Sequence, residues 1–262
     1  MPIEVITQKP DSTPHPTPLL FVHGMWHAAW CWAEHFMPYF SQHGYTSYAL
    51  SLRGHGASEG RGRLRWTSPA DYIADVAQVV SQIEKPPVLI GHSMGGMIVQ
   101  KYLESHQAPA AVLLASIPSG GVLGGTLSFA SRHPLLFLKA NLTMSLIHVV
   151  GTPALVREGL FSTDLPQEKV ETYASRLQDE SYRAYVDAMV LNLPRPKRIE
   201  TPMLVLGASD DAFFSPASVE RTGRAYRTQA EIFPDMAHNL MLEPGWQAVA
   251  DRILGWLDEK GL

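Results

Sequence analysis

Only one cysteine, Cys31, occurs among 262 residues, so no disulfide can close within the chain and cysteine usage gives no sign of an oxidising compartment. Flanked by Trp30 and Trp32, it reads as an apolar packing residue rather than a reactive thiol. Positive charge is not in surplus: 21 Lys and Arg stand against 25 Asp and Glu, and no stretch forms a basic arm, which argues against a nucleic-acid partner. No apolar run approaches the ~18 residues of a membrane span. Residues 1–18 have neither the basic nor the apolar segment of a signal peptide, so a cytoplasmic chain is expected. A monomer or a homodimer would fit equally well. Internal repeats and low-complexity tracts are lacking too, apart from the proline-spaced lead-in Pro10–Pro18.

What is present is the composition of a compact globule, with 45% hydrophobic and 18% charged residues, which excludes a disordered, collagen-like or disulfide-stapled chain. Short apolar runs ending at turn residues alternate with longer helical patterns. The runs are Leu19–Val22, Thr46–Leu50, Val88–Ile90, Ala110–Ala115, Met203–Leu206 and Glu231–Phe233. Continuous runs of this length, rich in Val, Leu and Ile, suit strands buried on both faces. Between them, Ser68-Pro69-Ala70-Asp71 offers a helix start, followed by Tyr72, Val76, Val79, Val80 and Ile83 on one face. Gly95–Glu104 is a second helix, and Trp246, Val249, Ile253 and Leu257 mark a third. This alternation predicts an α/β fold with a mostly parallel sheet flanked by helices.

One region breaks the alternation. Residues 119–196 contain no clear strand but are rich in Leu, Phe and Met, with Gly120-Gly121 and Gly124-Gly125 at the start and Pro194-Arg195-Pro196 at the end. They read as a helical insertion, and as a cap if a site lies beneath, since ligands in open α/β sheets bind at the carboxyl ends of the strands. The expected division is therefore a core of residues 1–118 and 197–262 with a cap at 119–196.

Gly91-His92-Ser93-Met94-Gly95 is a G-x-S-x-G motif lying between an apolar strand and a helix. A serine there sits on a sharp, strained strand-to-helix turn that holds its Oγ above the sheet edge. The following helix N-terminus favours developing negative charge. A hydroxyl nucleophile needs a base, and the base an orienting acid. His238 follows the last apolar strand, just before the C-terminal helix. Asp211 and Asp210 follow the strand before that, so the chain order is Ser, Asp, His. Asp211 is the candidate acid because Ala212-Phe213-Phe214 could bury it against the histidine; Asp210 is the alternative, otherwise solvated or capping. A tetrahedral oxyanion needs preorganised N–H donors worth about 3–4 kcal/mol each. The backbone N–H groups of Met94 and of Met25, in the loop after Leu19–Val22, are the candidates. Candidate pocket residues are Trp26, Phe129, Phe137, Met144 and Phe213. No His/Cys/Asp/Glu cluster has metal-ligand spacing and no glycine-rich loop has phosphate-cradling context, so neither metal nor cofactor is expected.

Taken together, His23-Gly24, the segment Leu52-Arg53-Gly54-His55-Gly56-Ala57-Ser58, the turn at Ser93, Asp211 and His238 resemble the α/β-hydrolase superfamily along essentially the whole chain. The resemblance is to a serine esterase and lysophospholipase-like branch. Val22–Trp32 is also similar to plant methyl esterases and hydroxynitrile lyases. It implies an α/β-hydrolase fold with about eight strands, a cap after the sixth, and serine hydrolase chemistry. It further implies that His23 and His92 are structural hydrogen-bonders. Arg53, His55 and Ser58 look like a loop-shaping network, and Glu59, Arg61, Arg63 and Arg65 a solvated loop. The expected reaction is hydrolysis of small- to medium-sized, mostly apolar carboxylic esters through an acyl-enzyme. Thioesters or lactones are compatible alternatives. Hydroxynitrile lyases of the resembling branch carry threonine where this chain has Gly24 and lysine where it has Asn239, which weakens the lyase reading. Epoxide or haloalkane hydrolysis would need Asp at position 93. A non-catalytic small-ligand receptor is the remaining class.

Overall fold

In the computed structural model, which describes residues 1–11 and 13–262, the apolar runs become the five inner strands and one edge strand of a seven-stranded sheet. The strands are β1 (Val5–Gln8), β2 (Leu19–Val22), β3 (Ser47–Leu50), β4 (Val88–His92), β5 (Ala111–Leu114), β6 (Met203–Ala208) and β7 (Ala230–Phe233). Their order is β1-β3-β2-β4-β5-β6-β7. β1 is antiparallel to β3 and every other pair is parallel. β2, β4, β5 and β6 are buried along their whole length, as strands covered on both faces must be.

The sheet has seven strands among the described residues, against an expected number of about eight. β1 escaped the sequence reading because it is a half-buried edge strand without a continuous apolar run. The proline-spaced segment that follows has no amide hydrogen at Pro10, Pro14, Pro16 or Pro18, and so is poorly suited to extend the ladder.

Helices α1 (Trp30–Ala33) and α2 (Phe36–Gln42) link β2 to β3, α3 (Pro69–Val80) links β3 to β4, and α4 (Met94–Tyr102) links β4 to β5. α3 begins where the sequence places it: Ser68 Oγ accepts from the Asp71 N–H while the Asp71 carboxylate accepts from the Ser68 N–H. Tyr72, Val76 and Val79 face the core, whereas Ile83 lies past the helix end. Cys31 is fully buried in α1, and burial pushes its thiol pKa up.

Between β5 and β6 come α5 (Leu123–Arg132), α6 (Pro134–Thr143), α7 (Pro153–Leu160), α8 (Gln167–Ala174) and α9 (Tyr182–Val186). Residues 119–196 contain no strand among the described residues. α6 is apolar on its outer side as well, leaving Leu135, Leu138 and Leu142 exposed. α10 (Pro216–Ala225) joins β6 to β7, and α11 (Trp246–Lys260) closes the chain with Val249, Ile253 and Leu257 in the core.

The 119–196 segment is tied to the loop after β3. Glu180 is buried with its Oε2 3.1 Å from His55 Nε2, and Tyr72 donates its hydroxyl to Glu180 Oε1 at 2.6 Å. Gln178 brackets the same loop, donating to the Gly54 carbonyl and accepting from the Gly56 N–H, both at 3.0 Å. Nearby, Arg53 pairs with Asp75 and Asp71, and Ser58 Oγ donates to the Ser51 carbonyl, which makes the expected loop-shaping network.

Burial opposes charge on His55, but the Glu180 carboxylate and the Arg53 carbonyl outweigh it and raise its pKa above 6.5. A raised folded-state pKa stabilises the fold fully below the unfolded value, and that contribution is lost as pH rises through the folded value. Glu180→Gln is therefore expected to cost about 3 kcal/mol or more near pH 5.5 and visibly less near pH 8.5, read by urea unfolding at both. An equal cost at the two pH values would mean that His55 stays neutral.

Candidate active site

Parallel pairing puts the carboxyl ends of β2, β4, β6 and β7 along one edge, and each loop leaving that edge delivers one component. β4 is followed by Ser93, a non-glycine residue at φ 52° immediately before α4. Such a backbone costs roughly 1–3 kcal/mol and persists only where the surroundings impose it. Here they do: a Cβ at Gly91 would lie 2.7 Å from the Gly96 backbone, and one at Gly95 would collide with the Val22 and His23 carbonyls. The glycines of the motif allow β4, α4 and the end of β2 to approach this closely.

His238, in the loop after β7, places Nε2 2.9 Å from Ser93 Oγ, and its Nδ1 lies 2.8 Å from Asp211 Oδ2. The carboxylate can only accept, so Nδ1 carries the proton and Nε2 faces the serine hydroxyl as acceptor. The other Asp211 oxygen, Oδ1, accepts from the Phe213 and Phe214 N–H groups at 2.8 and 3.0 Å. The Asp211 side chain is completely buried, and the Phe213 and Phe214 rings stand edge-on to the imidazole at 5.0 and 5.4 Å. Asp210 points elsewhere: it is exposed and accepts from Ser209 Oγ at 2.8 Å. Of the two adjacent acids, the structure brings Asp211 to the histidine.

His92 and His23 serve the frame around the site. His92 Nε2–H donates to the His238 carbonyl at 3.0 Å, which fixes the main chain of that loop. His23 Nε2 accepts from the Leu52 N–H at 3.0 Å, so its Nδ1–H donates to the Gly24 carbonyl at 2.8 Å. Burial drives the pKa of both rings far below 6.5, which keeps them neutral.

The Met94 N–H opens α4, where first-turn amides have no intrahelical acceptor. Met25 lies in the turn Gly24–His27, closed by a long His27 N–H to Gly24 carbonyl bond of 3.4 Å, with Trp26 at φ 66°. Neither the Met25 nor the Met94 amide has a loop or side-chain acceptor among the described residues. The two methionine side chains part company: Met25 lines the cavity above Ser93, whereas Met94 is buried in the core.

That cavity contains Ser93 and His238 at its base and is walled by Trp26, Phe129, Phe137 and Phe213, four of the five expected pocket residues. The fifth, Met144, is a correction. It is the left-handed residue that ends α6, at φ 49°, and it does not line the cavity; Leu146 and Val149 beyond it do. Sequence reading also missed Ile117, Val122, Thr126, Asn141, Tyr185 and Phe214. Only Phe214, next to Phe213, carried a signal that could have found it. Among the described residues no group of three or more His, Cys, Asp or Glu side chains is placed to hold a metal ion. No helix among them is long and apolar enough to cross a membrane.

A sheet of this topology, with a serine on the turn after β4 and histidine and aspartate loops beside it, is the frame of a large class of hydrolytic enzymes. The model of the alpha/beta hydrolase family matches residues 19–252, and the chain belongs to that family. It is 24% identical over 252 residues to a monoacylglycerol lipase of Mycolicibacterium smegmatis, covering 86% of this chain and 82% of that one. It is 25% identical over 218 residues to a pyrethroid hydrolase of Sphingobium wenxiniae, covering 78% and 74%. An esterase from Exiguobacterium antarcticum superposes with a TM-score of 0.77 at 16% identity, covering 98% of this chain and 95% of that chain.

Proposed function

We propose that this chain is a serine hydrolase of carboxylic esters, with Ser93 as nucleophile, His238 as base and Asp211 as the acid that orients it. The observation that carries the reading is the continuous Ser93–His238–Asp211 hydrogen-bond chain beneath a cavity that reaches both Ser93 and His238. Ser93 Oγ attacks the acyl carbon as His238 Nε2 takes its proton, and the Met25 and Met94 N–H groups receive the oxyanion. His238 then protonates the departing alcohol, leaving an acyl-enzyme that water hydrolyses with His238 again as base. The mostly apolar cavity walls favour an apolar acyl or aryl group, and residues 119–196, which supply Phe129 and Phe137, act as a cap over it. Relatives that are themselves a lipase and a hydrolase support the class of reaction.

A graded series of nitrophenyl esters tests this. Turnover should peak at short or medium acyl chains, and Ser93→Ala should lower it by roughly 10⁴-fold or more. An unchanged rate in Ser93→Ala overturns the proposal.

A further inference from the structure

We infer that His27 and Asn239 are positioning residues that hold the Met25 oxyanion donor in place and link it to the 119–196 segment. The inference rests on the ester-hydrolase reading above. A backbone N–H aids an oxyanion only if its peptide plane is fixed before the reaction. The Met25 N–H shares its plane with the Gly24 carbonyl, which accepts from His23 Nδ1–H at 2.8 Å and from the His27 N–H at 3.4 Å; the next peptide, beyond the Met25 Cα, leads into Trp26 at φ 66° and needs a hold of its own. The His27 side chain, braced in turn by Asn239, supplies that hold.

His27 Nδ1 lies 2.7 Å from the Met25 carbonyl, and Asn239 Nδ2 lies 3.2 Å from His27 Nε2. The carbonyl can only accept, so His27 carries its proton on Nδ1. Its Nε2 is then an acceptor, and Asn239 must present its amide hydrogens to it. Both side chains are buried, which denies solvent a substitute role. Burial, working against the Met25 hydrogen bond, lowers the His27 pKa to about 4, so the ring is neutral at neutral pH. Asn239 is also the residue after the base, and its own N–H donates to the carbonyl of Leu160 in α7 at 3.0 Å.

Two further bonds reach the same turn from the 119–196 segment. The Gln178 N–H donates to the Trp26 carbonyl at 3.0 Å, and Trp26 Nε1–H donates to the Leu146 carbonyl at 3.1 Å. The placement of that segment is thus transmitted to Met25 through main-chain and buried side-chain contacts. It forms part of the oxyanion site's support as well as its roof.

The test compares His27→Leu, which deletes the bond to the Met25 carbonyl, with His27→Asn, whose Nδ2 falls where His27 Nδ1 stood. Asn239→Leu, which frees the imidazole without removing it, provides an independent third variant. Steady-state rates on a nitrophenyl ester and the affinity of phenylboronic acid, which forms a tetrahedral adduct on an active serine, are both measured. His27→Leu and Asn239→Leu should lower kcat about 10²-fold with KM within about threefold, and should weaken the boronate at least about tenfold. His27→Asn should regain most of both losses. Equal losses in His27→Asn and His27→Leu, or a raised KM at constant kcat, would overturn the inference in favour of a purely structural role. A parent chain that binds the boronate but turns over no ester would overturn the ester reading, leaving the boronate series to decide the positioning role. A parent that does neither would overturn both.

Discussion

Asp211→Asn is expected to lower kcat for ester hydrolysis about 10⁴-fold with KM little changed, while Asp210→Asn leaves both within about twofold. The two acids are adjacent, so composition and net charge change identically and only geometry separates the outcomes. Asp211 Oδ2 receives the His238 Nδ1–H, and Oδ1 is held by two main-chain amides. An amide at that position can turn its NH₂ toward Nδ1, which moves the ring proton to Nε2 and leaves Ser93 facing a donor instead of a base. The Asp210 carboxylate is exposed and accepts from Ser209 Oγ, with no bond to His238. Steady-state kinetics on one ester, with thermal unfolding to confirm that both variants fold, decides the matter. A comparable loss in Asp210→Asn would refute the assignment.

Gly24→Thr is expected to lower kcat/KM by at least about 10²-fold and to destabilise the fold by roughly 1–3 kcal/mol. A Cβ at position 24 would lie 2.7 Å from His92 Nδ1 and 2.8 Å from Ser93 Cβ. His92 is held through its Nε2–H bond to the His238 carbonyl, so relieving the contact displaces Ser93, the loop bearing His238, or both. Slower reaction of Ser93 with a fluorophosphonate, alongside lowered denaturant stability, would report that displacement. An unchanged rate would show that His92 yields without cost. The same contact bears on the lyase alternative, because this backbone has no room for the threonine that the resembling lyases carry there.

Much of this was legible in the sequence because the signals were local. A buried parallel strand is a continuous apolar run, so Leu19–Val22, Val88–Ile90 and Met203–Leu206 stood out. Ser68 and Asp71 marked the start of α3 through a contact spanning three residues. The turn at Ser93 was readable because glycines must stand where strand and helix backbones nearly touch. β1 was not readable, since a half-buried edge strand needs no apolar run.

What the sequence concealed depends on distant partners. Glu180 lies 125 positions from His55 and Asn239 lies 212 from His27, and no motif joins either pair. Met144 had the composition of a pocket residue, but its left-handed backbone at the end of α6 turns the chain so that Leu146 and Val149 reach the cavity instead. The aromatic wall could be anticipated from residue type; its exact members depended on how residues 119–196 folded, for which α6, apolar on nearly every side, gave no facing signal.

The burial of Cys31 has a practical side. With its only thiol fully enclosed in α1 and its ionisation suppressed, the native chain should be nearly silent to maleimides and other thiol reagents. A single cysteine introduced on the outer face of α6, for instance Leu135→Cys, would then be the sole reactive handle. A dye or spin label there would report the movement of that helix against the sheet with the unmodified chain as its own blank.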